Sequence, residues 1–159
     1  MMEPARTAFL RDMKVFTQRE IDSRFNVALE RYIKTVTLEA ETAIEMIRTM
    51  AIPAGEMQLT QTAGAVAAAK SVGAAPKSLE SRLTEVSTVL GEVVTHAETL
   101  QSLLGKADKV HDELKRARLL ADEVRPAMDT ARAAVDRLEH LSNDGSWSLP
   151  KYREMLFPV

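Results

Sequence analysis

The sequence predicts an all-α protein: an elongated antiparallel bundle of three to four long helices that ends in a short C-terminal helix or tail. Apolar residues recur at steps of three and four along most of the chain, which is the periodicity of a helix with one buried face. Aromatic residues make up only 4% of the 159 residues, so aliphatic side chains and alanine have to build the core. We interpret residues 1–159 as one helical domain, with a lead-in over 1–16, a bundle over 17–141 and an aromatic tail over 142–159.

The lead-in is predicted to contain a short helix over residues 4–16. Pro4 suits the first turn of a helix, where its missing N–H is not needed. Thr17 and Glu20 have the spacing of a capping box, in which each side chain accepts a hydrogen bond from the other residue's free backbone N–H. A new helix should therefore begin next to Thr17.

The first long helix is predicted over residues 18–51. One stripe of its surface is apolar and consists of Ile21, Phe25, Leu29, Tyr32 with Ile33, Val36, Ala40, Ala43 with Ile44, Ile47 and Met50. Pro53 removes a backbone donor and is expected to kink or end this helix. A weaker helix over 53–72 then leads into an alanine- and glycine-rich connector.

Two further helices are predicted over 77–108 and 110–141. The first carries a regular apolar seam at Leu79, Leu83, Val86, Leu90, Val93, Ala97, Leu100, Leu104 and Ala107. The second carries a seam of a different phase at Val110, Leu114, Ala117, Ala121, Val124, Met128, Ala131, Val135 and Leu138. The change of phase indicates a stammer in one helix or a break between two, and we favour the break. Asp108 or Asp112 can cap the new helix, which Pro126 should bend.

The composition argues against several classes of partner. The absence of cysteine excludes disulfides and thiolate metal sites. A formal net charge of −2 gives no general attraction to nucleic acid or to anionic membranes. The longest weakly apolar run, residues 63–69, is too short to span a bilayer, and the N-terminus lacks the apolar core of a secretory signal. We therefore expect a cytoplasmic protein without nucleic-acid or membrane partners.

The candidates for chemistry have simpler structural explanations. His96, His111 and His140 are widely separated in sequence. Glu92 lies four residues before His96, a spacing that can place both on one metal ion, but the Glu-x-x-His pairs of di-iron bundles are absent. Carboxylates on the first long helix alternate with basic residues at helical spacing, which is typical of a solvated face. We predict no catalytic, cofactor-binding or metal-binding residue, and a catalytic or metal-binding bundle is the least favoured hypothesis.

The tail, WSLPKYREMLF, concentrates apolar and aromatic side chains, among them the only tryptophan of the chain. Its proline can begin a short last helix. One interpretation is a tail that folds back over the end of its own bundle, and the other is a docking element for another subunit or domain. The residues that we assign to docking are Trp147, Pro150, Tyr152, Leu156 and Phe157.

Three stretches resemble type III glutamine synthetases, and they occur in the same order as in that family. The tail matches the family's C-terminal W-P-x-P-x-Y-x-E-[LM]-L-F at Trp147, Pro150, Tyr152, Glu154, Met155, Leu156 and Phe157, with Ser148 in place of the first proline. Residues 15–46, VFTQREIDSRFNVALERYIKTVTLEAETAIEM, resemble the segment that follows the catalytic domain. Residues 122–139, DEVRPAMDTARAAVDRLE, resemble a later helical segment. The resemblance covers about residues 9–157, although 56–121 matches only as generic helix.

The resemblance implies a non-catalytic helical extension. Type III glutamine synthetases make glutamine from glutamate, ammonia and ATP with the help of a divalent metal, and they form large double-ring assemblies. Their metal, nucleotide and glutamate ligands lie in β-grasp and catalytic domains that precede the matched region, so no active-site residue is carried over. ATP and metal are thus expected only in the full-length enzyme. The expected role is packing, assembly or regulation, with the catalytic domain or neighbouring subunits as partners.

Other interpretations stay open from the sequence alone. The chain is expected to be inactive by itself, as a detached fragment or as a short natural relative. The alternative function is a free-standing helical-bundle interaction or scaffold protein without enzymatic activity, whose seams mediate self-association.

Overall fold

The computed structural model describes residues 4–74 and 76–156, nearly all of them in helices. The α-helices are α1 (Pro4–Asp12), α2 (Gln18–Met46), α3 (Ile52–Ser71), α4 (Lys77–Asp108), α5 (Glu113–Leu119), α6 (Arg125–Leu141) and α7 (Tyr152–Leu156). Two π-helical turns, π1 (Ile47–Ala51) and π2 (Leu120–Val124), join α2 to α3 and α5 to α6. A 3₁₀ turn (Asp144–Ser146) precedes α7. No β-strand occurs in this part of the chain, and the predicted all-α class is confirmed.

Three long helical segments pack side by side. The first, α2–π1–α3, is a continuous helix of 54 residues, roughly 80 Å long at 1.5 Å per residue. From its end, α4 turns back along α3, and α5–π2–α6 then runs beside α4. Arg82 Nη2 donates to the carbonyl of Leu141 at 3.0 Å, and Arg137 pairs with Glu92. Because residue numbers fall along α4 as they rise along α6, these two helices are antiparallel.

Capping side chains set the beginnings of two helices. The predicted capping box is present: Thr17 Oγ1 accepts from the N–H of Glu20 at 3.3 Å, and Glu20 Oε2 accepts from the N–H of Thr17 at 2.7 Å. Glu20 Oε2 also accepts from the Thr17 hydroxyl at 2.8 Å, and the backbone and hydroxyl hydrogen bonds from Thr17, the backbone one first, lower the pKa of the Glu20 carboxyl. Asp112 Oδ1 accepts from the N–H of Lys115 at 2.9 Å, so α5 begins at Glu113, slightly later than predicted.

Two helix ends are marked by left-handed residues. Lys14 has a φ of 55°, and α1 stops at Asp12, earlier than the sequence predicts. Gly73 has a φ of 69° just past the end of α3, and the N–H of Ala74 donates to the carbonyl of Ala69 at 2.9 Å. This is a Schellman motif, and glycine suits it because it has no Cβ to clash in the left-handed region.

The first long helix does not end at Pro53, one of the two outcomes that the sequence predicts, and α3 (Ile52–Ser71) continues it directly. The helix passes through π1, where the N–H of Ile52 donates to the carbonyl of Ile47, five residues back. A π-helical turn holds an extra residue, so the chain passes the proline without an α-helical bond to its missing N–H. The extra residue also rotates the buried face: Ala51 is buried, whereas Met50, which was predicted to lie in the apolar stripe, is 39% exposed.

A second π-helical turn precedes Pro126 in the same way. Here the N–H of Arg125 donates to the carbonyl of Leu120. The predicted seam of this segment is therefore wrong by one residue at some positions, because Leu120 is buried in place of the exposed Ala121. The buried residues of α5, π2 and α6 are Ala117, Leu120, Val124, Ala131, Ala134 and Leu138.

The core consists of two clusters along the three long segments. One lies between α2, the C-terminal part of α4, α5 and π2, and its fully buried members include Ala40, Leu100 and Leu120. The other lies between π1, α3, the middle of α4 and α6, and it contains Leu138 and Trp147. No helix among residues 4–74 and 76–156 is long and apolar enough to cross a lipid bilayer.

Gly55 marks a close approach of three helices. A Cβ atom added there would lie 2.8 Å from Leu90 Cδ1 and 2.9 Å from Leu138 Cδ2. Both leucines are buried, so they have little room to move away. A glycine in the middle of a helix is unfavourable by itself, and here the close packing of α4 and α6 against α3 explains it.

Replacing Gly55 by alanine should lower stability despite the better helix propensity of alanine. We expect overpacking to cost about 1–3 kcal/mol and the propensity gain to return about 1 kcal/mol, as measured by urea unfolding. Gly91→Ala is the matched control, because Gly91 lies within α4 and a Cβ there would meet nothing within 4 Å. That control should stabilise the protein, and equal stabilisation by both substitutions would contradict the described packing.

Candidate docking groove

The turn after α6 is fixed to the first long helix. The N–H of Asn143 donates to Gln58 Oε1 at 2.9 Å, and Gln58 is buried in α3. The Gln58 amide also donates to Thr62 Oγ1 at 3.1 Å. Asn143 Oδ1 accepts from the N–H of Gly145 at 2.9 Å, which closes the 3₁₀ turn. The chain therefore enters the tail from a defined position beside α3.

Trp147 packs into the domain's own core. Its side chain is only 8% exposed and belongs to the same cluster as Ile47, Ala51 and Leu138. The indole Nε1 is buried and has no hydrogen-bond partner. The tail thus folds back over its own helices at this residue, in line with one of the two interpretations of the sequence. A docking role for Trp147 stays a prediction.

An ion pair holds the segment at the start of α7 to the 3₁₀ turn. Lys151 pairs with Asp144, and Glu154 Oε2 accepts from the backbone N–H of Lys151 at 3.1 Å. Met155 and Leu156 follow on α7 and are 58% and 70% exposed. α7 is therefore held near the turn while two of its apolar side chains face solvent.

The five predicted docking residues have different surroundings. Trp147 is buried, Pro150 is exposed, and Leu156 is exposed at the end of α7. Tyr152 begins α7, but its side chain lies outside the described part of the structure, as does the whole of Phe157. The structure brings Trp147 and Pro150 together at one groove.

This groove, which we call the tail groove, lies between the first long helix and α6 and encloses about 500 Å³. The first long helix contributes Ala43, Met46, Ile47 and Ala51. The tail contributes Trp147, Leu149, Pro150 and Met155. The floor is therefore mainly apolar, and a cleft of this size suits one or two side chains of a partner or a small ligand.

The charged groups of the tail groove come from α6. Asp129, Asp136 and Glu139 line it together with Arg132, beside the apolar Met128 and Val135. Arg132 Nε lies 3.9 Å from Asp136 Oδ2. With three carboxylates and one guanidinium, the rim of the groove has a net negative charge. The rim therefore favours a ligand or partner segment that carries a cationic group.

Glu92 and His140, two of the residues considered for chemistry, line one groove between α4 and α6. Glu92 pairs with Arg137, and His140 Nδ1 lies 2.6 Å from the carbonyl of Asp136 in its own helix. Within residues 4–74 and 76–156, no group of three or more histidine or carboxylate side chains is placed to hold a metal ion. Elsewhere, hydrogen bonding and charge between Glu30 and Lys34 lower the pKa of the carboxyl and raise that of the amine, as in a solvated helical pair.

Sequence reasoning missed the walls of the tail groove. Met46 and Met155 are 39% and 58% exposed, and both line this cleft. The signal that was available is helical spacing: Ala43, Met46 and Ile47 lie within one turn of the first long helix and share one face. Spacing alone does not reveal that α6 and the tail complete the groove.

Comparisons with known proteins point to one family. A family model described as "Glutamine synthetase C-terminal domain" matches residues 1–70. The type-3 glutamine synthetase of Dictyostelium discoideum is 26% identical over 152 residues, which cover 92% of this chain and 21% of that protein. The glutamine synthetases of Butyrivibrio fibrisolvens and Bacteroides fragilis are 29% and 26% identical, each over 91% of this chain and 21% of the relative.

The chain thus spans about 21% of the length of the curated relatives it matches. The matched family model describes a C-terminal domain and covers the segment 15–46, in which the sequence shows the resemblance. The resemblance inferred from the sequence is therefore confirmed: the chain is similar to the C-terminal domain of type III glutamine synthetases.

Proposed function

We propose that this chain is a non-catalytic helical domain that docks on the remainder of a type III glutamine synthetase and serves its assembly or regulation. The support is the similarity along 91–92% of the chain to only about 21% of each relative. The synthesis of glutamine from glutamate, ammonia and ATP, and the divalent metal that it needs, then belong to the remainder of the enzyme. A cytoplasmic location is part of the same proposal.

The tail groove and α7 are the proposed contact surface. Met155 and Leu156 are exposed on a short helix that is itself held by the Lys151–Asp144 pair. Exposed apolar side chains on an ordered element favour association, because burying them against a partner removes apolar surface from water. Pro150 and Leu156 carry this proposal within the set of docking residues that the sequence predicts.

A truncated chain that ends at Leu149 tests this proposal. It keeps Trp147 in the core but lacks α7, where Met155 and Leu156 are 58% and 70% exposed, so we expect a free energy of unfolding within about 1 kcal/mol of the full chain. Association with the remainder of the Butyrivibrio fibrisolvens enzyme, supplied as a separate polypeptide, should weaken at least tenfold in sedimentation velocity. Equal affinity of both chains, or no association of either, would contradict the proposal.

The second candidate function is a free-standing helical interaction protein. The specific observation in its favour is the exposure of Met46, Met50 and Met57 on the first long helix, because methionine surfaces adapt to varied partners. Sedimentation equilibrium of the isolated chain separates the two candidates. A stable oligomer of the chain that does not bind the synthetase remainder favours the second candidate function.

A further inference from the structure

We propose that the occupant of the tail groove is a peptide segment of the synthetase remainder that carries an apolar side chain next to basic residues. This inference rests on the proposed function, since the partner is taken to be the enzyme's remainder. It adds the chemistry of the segment that is bound and the site that binds it.

The floor of the groove selects an apolar side chain. Met46 and Ile47 approach from the first long helix, Met128 from α6, and Leu149 from the tail. Met46 and Met128 have flexible, polarisable side chains that fit themselves to an inserted group. The volume of about 500 Å³ accepts one large aliphatic or aromatic side chain together with some of its backbone.

The charge of the rim favours a bound segment that has a basic residue next to its apolar side chain. Asp129, Asp136 and Glu139 lie along one side of the groove, and Arg132 is the basic side chain among them. Arg132 already has Asp136 nearby, at 3.9 Å. A lysine or arginine on the occupant therefore meets an excess of carboxylates, which speeds association and discriminates against acidic segments.

Trp147 favours a peptide over a purely apolar ligand. Its side chain is more than nine-tenths buried and lines the groove, and its indole N–H has no hydrogen-bond partner. A buried donor of this kind normally finds an acceptor. A peptide brings backbone carbonyl oxygens into the groove, where a small adjustment of the tail lets one of them accept the indole N–H.

The tail extends the contact beyond the groove. Met155 lines the groove and is also 58% exposed, and Leu156 beside it is 70% exposed. An extended or helical segment that inserts one anchor therefore continues over apolar surface on α7. This continuity favours a partner longer than a single side chain.

Two matched peptides test the chemistry of the occupant: acetyl-Gly-Lys-Leu-Leu-Lys-Gly-amide and the same peptide with glutamate for lysine. Trp147 is the only tryptophan of the chain, so its fluorescence reports directly on the groove. We expect a saturable change with the basic peptide and binding at least tenfold weaker with the acidic one. Asp136→Asn combined with Glu139→Gln should weaken the basic peptide at least fivefold, whereas Glu98→Gln on exposed α4 surface should not. Equal binding of both peptides, or no response of Trp147 to either, overturns the inference.

The synthetase remainder separates this inference from the proposed function. With the Butyrivibrio fibrisolvens remainder as the partner, the doubly neutralised rim variant should associate at least fivefold more weakly than the unchanged chain or the Glu98→Gln control. If all three associate equally, the inference fails and the proposed function stands. If none associates, the proposed function fails. Rim-dependent self-association of the chain would identify a second copy as the occupant and would also overturn the inference.

Discussion

Replacing Trp147 by alanine is expected to lower the free energy of unfolding by about 3–5 kcal/mol, because the substitution empties a buried aromatic site in the core. The indole is 8% exposed and packs in the cluster formed by π1, α3, α4 and α6. Its N–H has no partner, so the loss comes from packing and not from a broken hydrogen bond. Urea unfolding followed by circular dichroism measures the effect without the tryptophan signal.

The control for this prediction is Leu156→Ala in the same tail. Leu156 is 70% exposed, and surface substitutions of this kind usually change stability by about 0.5 kcal/mol or less. Comparing the two variants therefore distinguishes a tail that packs as part of the core from a tail that lies outside it. A Trp147→Ala protein as stable as the Leu156→Ala protein would mean that the tail does not pack against the helices as described.

Leu138→Ala is expected to cost about 2–5 kcal/mol, the range for deleting a fully buried leucine side chain. Leu138 is completely buried in α6, where it meets Gly55 of α3. The same change at Leu38, which is 63% exposed on α2, should have little effect. Thermal unfolding of the two variants tests the difference, and similar losses at both sites would contradict the described core.

Combining Leu138→Ala with Gly55→Ala makes this test more specific. The Cδ2 atom of Leu138 is one of the two that a Cβ at position 55 would approach too closely. Removing the Leu138 side chain leaves space that the new methyl group fills, so the double variant should be more stable than the sum of the two single effects allows. Additive losses would show that the two positions do not touch.

Local signals were sufficient to predict most of the helices. Thr17 and Glu20 form the capping box that their spacing indicates, and Asp112 caps the helix after the phase change. The helix predicted over 77–108 occurs as Lys77–Asp108. Its seam residues are buried from Val86 onward because a long aliphatic stripe has only one favourable way to face its neighbours.

The π-helical turns before the two prolines were not predicted, because the missing N–H of a proline indicates a disturbance of the helix but not its form. Pro53 and Pro126 each follow a π-helical turn that absorbs the missing hydrogen bond and lets the helix continue. The extra residue changes which side chains face the core, as Met50 and Ala121 demonstrate by their exposure. A prediction that assumes 3.6 residues per turn throughout the helix misses this change of the buried face.

The tail groove was only partly predictable. The aromatic residues and the proline of the tail drew attention to Trp147 and Pro150, and both residues line the groove. Met46 and Asp136 come from helices far apart in sequence, and only the packing of α6 against the first long helix brings them together. The periodicity of a single sequence shows which face of each helix is apolar, but it does not show which other helix packs against that face.

A chimaeric enzyme is the most direct test of a docking role, with this chain in place of the matching region of the Butyrivibrio fibrisolvens glutamine synthetase. The comparison is with the same enzyme lacking that region altogether, and the readouts are assembly by sedimentation and glutamine formation from glutamate, ammonia and ATP. We expect the chimaera to recover assembly and activity that the shortened enzyme lacks, and to lose part of both when Asp136→Asn and Glu139→Gln are introduced. A chimaera indistinguishable from the shortened enzyme would contradict the docking role.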